Sequence, residues 1–346
     1  MTNQYSLSQL GWKHFFQQQL SLEEWEAYTT TRVIGVERSL IHLLTTNGKQ
    51  DIPLTPNMPN IAVGDWLLLD EQNRFHRLLD RFSLFSRKAA GTKVATQLIA
   101  ANVDTVFIVS SLNLDFNLNR IERYLALANE AGVKPVIVLT KLDCCDNPQD
   151  FLVKAQAINP LLEIVMINSL DGESVNQLKT WCSTGETVAL LGSSGVGKST
   201  IVNTLLGSQV QLTHSIREDD DKGRHTTTGR SIHFLAEGGL LLDTPGMREL
   251  QIADCEHGVE ETFPEIIELA SHCKFSDCKH ENEPGCAVRT AIEKGSLDQR
   301  RLTSYQKLMR EQAFNAATLA EKRARDREFG RYVRSVMDSK RKKNSQ

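Results

Sequence analysis

The chain contains 346 residues, of which 40% are hydrophobic and 24% are charged. This composition is typical of soluble proteins with two or three globular domains. No apolar run approaches the length of a membrane span, and the polar N-terminus lacks the hydrophobic segment of a secretory signal. We therefore expect a cytoplasmic protein with no membrane partner. Three of the seven cysteines lie close together beside a histidine, which favours a metal site over a disulfide framework.

The net charge of -3 conceals an uneven distribution. Of the 40 basic and 43 acidic residues, 14 basic and 5 acidic ones lie between 300 and 346, so this segment carries +9 and the rest -12. A basic tail on an acidic body indicates a large anionic partner such as RNA. The alternative interpretation is a solvated helix that has no partner.

The first third of the chain is predicted to form a small β-rich domain behind a polar extension. Residues 1–30 are polar and partly helical in pattern. Between 31 and 86, turn residues separate short strand-like runs, which are "TRVIGVE", "IHLLTT", "GDWLLLD" and "RFHRLLD". These runs predict a small β-barrel, with an OB-fold as one candidate among small barrels and sandwiches.

The remainder of the chain is predicted to contain an α/β domain and a helical C-terminal domain. After a basic connector, "SRKAAGTKVATQ", apolar strands alternate with helices from 87 to 253, which indicates a parallel sheet covered on both faces. Its predicted strands are "VDTVFIVSS", "KPVIVLT", "EIVMINS", "ETVALLGSS" and "GLLLDTPG". Residues 254–346 read as a helix-rich, zinc-binding domain with a basic helical tail.

A phosphate-binding loop follows the strand "VALLG" and precedes the helical pattern "STIVNTLLG". In this pattern, backbone N–H groups cradle phosphate oxygens at a helix N-terminus. Lys198 is expected to reach the β- and γ-phosphates, and the Ser199 hydroxyl is expected to bind Mg²⁺. The predicted nucleotide contacts of this loop are Gly192, Ser193, Ser194, Gly195, Val196, Gly197, Lys198, Ser199 and Thr200.

Two later segments have the pattern of elements that sense a γ-phosphate. In "DTPG", Asp243 at the end of a strand can support the Mg²⁺ shell, and the Gly246 N–H can bond the γ-phosphate. The polar segment "GRHTTTGR" offers three threonines as a further Mg²⁺ ligand, and we favour Thr227 over its two neighbours. This combination predicts a GTPase switch.

The segment "TKLD" at the end of an earlier strand supplies the specificity for guanine. Asp143 can accept hydrogen bonds from both N1–H and N2–H₂ of guanine, whereas adenine has no matching pair of donors. The stem of Lys141 can lie along the base, and Ser169 follows the next strand and can contact the base. Because this element precedes the phosphate loop, the order predicts a circularly permuted GTPase domain in which "DTPG" leads directly into the cysteine-rich domain.

The group that orients the attacking water is not evident from the motifs. Ras-like enzymes place a glutamine after the glycine of this motif, and that position is occupied here by Met247. His225, beside the switch threonines, is the nearest candidate in the sequence. The alternative is that His225 is an ordinary histidine in a solvent-facing loop. We expect slow intrinsic turnover that a partner stimulates.

The cysteine cluster has the spacing of a structural zinc site. Cys273, Cys278, His280 and Cys286 offer three thiolates and an imidazole within a short polar segment. Four protein ligands complete the tetrahedral shell of Zn²⁺, so such a site has no open position for catalysis. His257 and His272 lie outside this spacing and are possible substitutes.

Taken in order, "TKLD", "GSSGVGKST", "GRHTTTG", "DTPGMRE" and "CKFSDCKHENEPGCAV" resemble the family of circularly permuted, ribosome small-subunit-dependent GTPases A (RsgA). The resemblance implies an N-terminal OB-fold, a central permuted GTPase domain that binds GTP or GDP with Mg²⁺, and a C-terminal domain with one structural Zn²⁺. It also implies a late role in maturing the small (30S) ribosomal subunit, with hydrolysis stimulated by the subunit. By motif match it assigns the phosphate loop, Lys141 and Asp143 to GTP, and the Cys₃His set to zinc.

The sequence departs from the usual family pattern at Thr140, where asparagine is expected, and this change predicts a looser guanine site. We expect a monomer that contacts the small ribosomal subunit and its rRNA. Two alternatives stay open, namely an RNA-binding scaffold that uses GTP only as a conformational switch, and a permuted GTPase that acts on another ribosomal RNA.

Overall fold

The structure is a computed structural model that describes most of the chain. The described residues are 5–88, 96–207, 231–235, 237–243, 250, 252 and 255–316. Several predicted features lie outside them, namely His225, Thr227, Gly246, Met247 and the basic tail beyond 316.

The N-terminal region forms a five-stranded antiparallel sheet with the order β3-β2-β1-β4-β5. Its strands are β1 (Thr29–Val36), β2 (Leu40–Thr45), β3 (Gly48–Pro53), β4 (Trp66–Leu69) and β5 (Phe75–Leu78). Strand β1 pairs with both β2 and β4, which fits the partly open five-stranded barrel of an OB-fold. The sequence pattern did not predict β3, because of its residues only Ile52 is buried.

The residues before this sheet pack against it. They include the short helices α1 (His14–Gln17) and α2 (Leu22–Ala27), and Ser21 and Glu24 form a capping box at the start of α2. Leu10 and Phe16 are fully buried in a cluster with Trp66 of β4. These two side chains join the N-terminal segment to the barrel through a shared apolar core, although the segment as a whole is polar.

The predicted connector contains parts of two strands. Strands β6 (Leu84–Lys88) and β7 (Thr96–Ala101) pair as an antiparallel ribbon, and the described residues resume at Thr96 after a gap from 89 to 95. The ribbon forms because apolar residues flank the basic residues of the connector. Phe85, Ile99 and Ala100 are buried in the core that covers one face of the central sheet.

The central region is a six-stranded sheet with the order β10-β9-β8-β11-β13-β12. Its strands are β8 (Thr105–Ser111), β9 (Lys134–Thr140), β10 (Glu163–Met166), β11 (Thr187–Leu191), β12 (Ser231–Phe234) and β13 (Leu240–Asp243). All neighbours are parallel except β12, which the motif pattern did not predict and which pairs antiparallel with β13. The predicted parallel sheet is thereby confirmed.

Helices cover both faces of this sheet, as its apolar strands require. The helical segments of this region are α3 (Leu118–Glu130), a 3₁₀ turn (Leu142–Cys144), α4 (Pro148–Gln156), α5 (Gly172–Asn176), a second 3₁₀ turn (Gln177–Trp181) and α6 (Lys198–Leu206). Side chains of β8 alternate between two cores: Val106 and Ile108 pack with α3, whereas Phe107 and Val109 pack with α5 and α6.

The buried Arg32 of β1 connects the N-terminal region to the strand that carries the phosphate loop. Its guanidinium donates to Leu10 O at 2.5 Å and to Thr187 Oγ1 of β11 at 2.8 Å. Burial lowers the pKa of Arg32 to about 10. The base of β11 is thus fixed by a polar contact that spans three parts of the chain.

The C-terminal region comprises α7 (Glu256–Thr262), α8 (Pro264–Ser271), α9 (Ala287–Glu293) and α10 (Gln299–Ala316). These helices share a core with α3 and the central sheet. Glu122 of α3 is fully buried and accepts hydrogen bonds from Arg301 Nη1 at 2.8 Å and Arg300 Nη1 at 3.1 Å. Arg301 also contacts Glu265 and Thr262 O. Among the described residues, no helix is long and apolar enough to cross a bilayer.

Candidate nucleotide site and metal centre

The sheet topology brings the predicted nucleotide-binding segments to one edge. Strand β11 leads into the phosphate loop and lies between β8 and β13, and β9, which ends in "TKLD", lies next to β8. The chain passes through β8, β9 and β10 before it reaches β11. The segment predicted to bind guanine therefore precedes the phosphate loop in sequence and still lies at the same carboxyl edge of the sheet, where such folds bind ligands.

The phosphate loop is shaped by its glycines and anchored by one buried valine. A Cβ added at Gly192 would lie 2.5 Å from Val109 O, so only glycine fits beside β8 there. Gly195 and Gly197 have φ angles of +79° and +99°, which glycine adopts without a steric penalty. Val196 is buried in the core with α6, and Ser194 and Gly195 are exposed at the tip.

The predicted phosphate-binding lysine folds back over this loop. Lys198 is the first residue of α6, and its Nζ donates to Gly192 O at 2.8 Å and also to Ser193 O. Ser199 and Thr200 follow in the first turn of α6 and are half-buried. The ammonium group and the N-terminal end of α6 therefore lie together at the loop, an arrangement that attracts phosphate.

Thr140 connects the end of β9 to the phosphate loop. Its side chain is fully buried, and its Oγ1 donates to Val196 O at 2.6 Å. A threonine hydroxyl can thus supply the donor that fixes the loop at this point. The predicted loosening of the guanine site by threonine at this position concerns nucleotide affinity and stays a prediction, whereas the hydrogen bond to the loop is short and enclosed.

The residues that follow Thr140 turn outward. Lys141 has a left-handed backbone with φ of +60° and is the N-cap of the 3₁₀ turn Leu142–Cys144. Asp143, the predicted guanine-binding carboxylate, is exposed. The Cys144 thiol donates to Asp143 Oδ2 at 3.3 Å, and this hydrogen bond raises the pKa of Cys144.

Ser169 lies against the phosphate loop from the other side. It is buried after β10, and its Oγ would be 3.2 Å from a Cβ added at Gly197. The Thr204 hydroxyl of α6 donates to Ser169 O at 3.4 Å. The structure therefore brings Thr140 and Ser169 into contact with the phosphate loop.

Asp243 is the last residue of β13, which lies next to β11 on the side away from β8.

Two charged residues that the sequence pattern did not predict lie beside the phosphate loop. Ser193 Oγ donates to Asp115 Oδ2 at 2.8 Å and accepts from Arg120 Nη1 at 2.9 Å. Arg120 also pairs with Asp115 at 2.8 Å. The hydrogen bonds from Arg120 and Ser193 lower the pKa of Asp115. No sequence motif marks these residues: Asp115 lies in the turn before α3 and Arg120 in the first turn of α3, and both reach Ser193 because β8 lies beside β11.

The cysteine cluster forms a compact set of ligand atoms. Atoms of Cys273, Cys278, His280 and Cys286 all lie within 4.8 Å of one another. His280 Nδ1 is 3.7 Å from Cys273 Sγ and 3.5 Å from Cys286 Sγ, and these two sulfurs are 3.9 Å apart. A tetrahedral zinc ion requires about 3.8 Å between two sulfurs and about 3.6 Å between sulfur and nitrogen. The cluster therefore fits zinc in both chemistry and size.

The backbone conformation at two positions places the side chains of this cluster. Cys286 is the N-cap of α9, and His280 adopts a left-handed backbone with φ of +59°. Burial lowers the pKa of His280, which favours the neutral imidazole that binds metals. His257 and His272 are elsewhere: His257 pairs with Glu261, and His272 Nδ1 contacts Glu268 O.

Comparison with known proteins is consistent with this arrangement. The family model described as RsgA GTPase matches residues 78–253. The chain is 61% identical over 337 residues to "Small ribosomal subunit biogenesis GTPase RsgA 2" of Vibrio parahaemolyticus, which covers 97% of this chain and 94% of that protein. It is 47% identical over 316 residues to "Small ribosomal subunit biogenesis GTPase RsgA" of Mesorhizobium japonicum, covering 90% and 91%.

Two solved structures share the fold. YjeQ from Thermotoga maritima aligns with a TM-score of 0.60 at 24% identity, covering 82% of this chain and 98% of that one. YloQ, described as a circularly permuted GTPase, aligns with a TM-score of 0.57 at 23% identity, covering 84% and 96%. These similarities confirm the permuted fold inferred from the order of the motifs. The chain therefore belongs to the RsgA GTPase family.

Proposed function

We propose that the protein is a GTPase that binds the small (30S) ribosomal subunit and acts in its late maturation. The observation that supports this most directly is the convergence of the phosphate loop, the Thr140–Asp143 turn and Ser169 at one edge of the sheet. The chain carrying this site is 61% identical to a protein named for small-subunit biogenesis. The proposal includes a cytoplasmic monomer whose turnover the subunit stimulates.

Each residue of the site receives a role from its chemistry. Backbone N–H groups from Gly192 to Thr200 cradle the phosphates, and Lys198 exchanges its carbonyl partners for phosphate oxygens. The Ser199 hydroxyl would hold Mg²⁺, which neutralises charge on the β- and γ-phosphates. Asp143 reads N1–H and N2–H₂ of guanine, with Lys141 along the ring and Ser169 beside it.

The remaining parts of the nucleotide site are proposed from sequence. Asp243 supports the Mg²⁺ shell, the Gly246 N–H bonds the γ-phosphate, and Thr227 completes the magnesium ligands when GTP orders its segment. His225 orients the attacking water in place of the glutamine that Met247 replaces. Single-turnover hydrolysis by His225→Ala with the subunit present tests this role, and a wild-type rate would remove it.

The Cys₃His cluster is proposed to hold one structural Zn²⁺. Cys273, Cys278, His280 and Cys286 are the ligands, and four protein ligands leave no position for a substrate. When bound, zinc contributes folding free energy to a segment that contains no helix or strand from 273 to 285.

Contacts to rRNA are proposed for the basic residues between 317 and 346, because Arg300 and Arg301 already pair with the buried Glu122. Residues 317–346 contain 10 basic and 4 acidic residues, a local charge of +6 that suits a phosphate backbone, and such binding releases counterions and weakens with salt. If these residues carry the interaction, subunit binding should weaken progressively as the salt concentration rises, and removal of residues 317–346 should reduce that slope.

The decisive experiment is a turnover assay with GTP or ATP in the presence of small subunits, large subunits or neither. The proposal expects GTP hydrolysis that small subunits alone accelerate. Equal turnover of ATP would contradict the role of Asp143. GTP binding without stimulation would favour the scaffold alternative, in which GTP acts only as a conformational switch. Stimulation by large subunits would favour a different RNA target.

A further inference from the structure

Asp115, Arg120 and Ser193 form a closed hydrogen-bonded cluster at the start of the phosphate loop. Arg120 Nη1 contacts both carboxylate oxygens of Asp115 at 2.8 Å and Ser193 Oγ at 2.9 Å. The Ser193 hydroxyl completes the cluster by donating to Asp115 Oδ2 at 2.8 Å. Every polar atom of Ser193 beyond its N–H is therefore engaged, because Lys198 Nζ also donates to its carbonyl oxygen.

The position of this cluster is fixed by a rigid helix. Asp115 and Arg120 flank the N-cap Asn117 of α3, whose side chain accepts from the Arg120 N–H. Further along α3, Glu122 and Arg123 contact Arg301 and Glu311 of α10. The helix that carries Arg120 is thus held in place by its contacts with α10, and this fixes the position from which the Arg120 side chain reaches Ser193.

The two charges in the cluster, on Asp115 and Arg120, have opposite effects on an incoming phosphate. Asp115 alone would repel an incoming triphosphate, whereas Arg120 alone would attract it. As a pair they are nearly neutral, so their contribution is geometric: they hold the Ser193 hydroxyl and, through it, the backbone that begins the N–H cradle. Charge-assisted hydrogen bonds are stronger than neutral ones, which suits them to this task.

We propose that Asp115 and Arg120 are positioning residues of the nucleotide site, which act through the Ser193 hydroxyl to hold the phosphate loop in its binding conformation. This inference rests on the proposed GTP binding and adds two residues that lie outside the recognised motifs. It extends the nucleotide site across the phosphate loop to the first turn of α3.

The two substitutions Arg120→Gln and Asp115→Asn separate positioning from simple electrostatics. A purely electrostatic role predicts opposite results, because Arg120→Gln removes an attractive charge and Asp115→Asn removes a repulsive one. Positioning predicts that both variants bind GDP and GTP more weakly. We expect a loss of about tenfold in each, the change that corresponds to 1.4 kcal/mol. Affinities are measured with a fluorescent guanine nucleotide on the full chain.

A double-mutant cycle tests whether the effect passes through Ser193. Ser193→Ala and Arg120→Gln, combined in one protein, should cost little more than either alone, since they break the same cluster. Arg74→Gln is the matched control, because Arg74 pairs with Asp70 at 2.8 Å in the N-terminal region. The control should bind nucleotide as the wild type does. The free energy of unfolding is measured for every variant, and Arg120→Lys provides a charge-conserving replacement.

The outcomes distinguish this inference from the proposed function. Wild-type affinity in both variants, opposite shifts in the two variants, or fully additive effects in the cycle would each overturn the positioning role and leave the GTPase proposal intact. A wild-type protein that binds no guanine nucleotide would overturn both. Weaker binding in both variants with a non-additive cycle supports the inference.

Discussion

The metal centre draws its four ligands from one short segment, Cys273 to Cys286, whereas the nucleotide site draws on strand ends between Thr140 and Asp243. The metal segment has no helix or strand until α9 begins at Ala287. The nucleotide residues follow strands that are buried on both faces. We therefore expect the first site to depend on a bound ion for its shape, whereas the second site is shaped by the sheet.

Loss of the metal should produce the largest effect. Cys286→Ser, or treatment with a strong chelator, should remove binding energy on the order of 10 kcal/mol and unfold the segment around α9. Zinc content and hydrogen exchange across residues 273–293 measure this, and nucleotide affinity should change far less. His272→Ala is the control and should keep one zinc per chain. Full protection of this segment in a zinc-free protein would contradict the contrast between the two sites.

Breaking the ion pairs of Glu122 in α3 with Arg300 and Arg301 in α10 should have the next largest effect. Arg301→Met leaves the fully buried Glu122 with only Arg300 as a partner, and breaking a buried pair in this way should cost about 3 kcal/mol of unfolding free energy. The double variant Glu122→Met/Arg301→Met should recover part of that loss, because no buried charge then lacks its partner. Denaturant unfolding measures both. A loss below about 0.5 kcal/mol in Arg301→Met would show that the Glu122–Arg301 pair does not stabilise the packing of the C-terminal helices.

A smaller effect is expected inside the nucleotide site. Thr140→Val keeps the side-chain volume but removes the hydrogen bond to Val196 O, so GTP affinity should fall by a factor that corresponds to about 1 kcal/mol. Thr140→Ser keeps the hydroxyl and should bind as the wild type does. If Thr140→Val matched the wild type, the contact would not hold the loop.

The smallest effect concerns the N-terminal helix pair, which touches neither site. Arg77 and the Ser21 N–H lower the pKa of Glu24 to about 2 from its ordinary 4.5. A depressed folded-state pKa means that the stabilisation is complete above about pH 4.5 and is lost as the pH falls toward about 2. Glu24→Gln should flatten this part of the pH profile of unfolding, and an unchanged profile would show that the contact contributes nothing.

The same contrast explains what could be predicted from the sequence. The metal ligands and the phosphate loop are local patterns, so spacing alone identified Cys273 to Cys286 and Gly192 to Thr200. Strands β8 and β9 were predicted because each contains a continuous apolar run, residues 106–109 in β8 and residues 136–139 in β9. By contrast, β3 buries one residue, Ile52, and the N-terminal anchors Leu10 and Phe16 are dispersed among glutamines.

Contacts between distant segments could not be predicted in this way. The role of Thr140 depends on a carbonyl 56 positions away, and the pair of Asp115 and Arg120 meets Ser193 only because β8 lies beside β11. No local pattern encodes such neighbours. The permuted order was the exception, since each motif could be recognised alone and the sheet rules then placed them together.

We propose that the Asp143 carboxylate binds guanine in the same site as the phosphate loop, although it precedes that loop in the sequence. Asp143→Asn tests this most directly, because asparagine offers an amide donor where xanthine carries a carbonyl in place of the guanine amino group. We predict that GTP affinity falls by about 100-fold, close to 2.7 kcal/mol, and that xanthosine triphosphate becomes the preferred nucleotide. If this variant still preferred GTP, Asp143 would not be the residue that selects guanine.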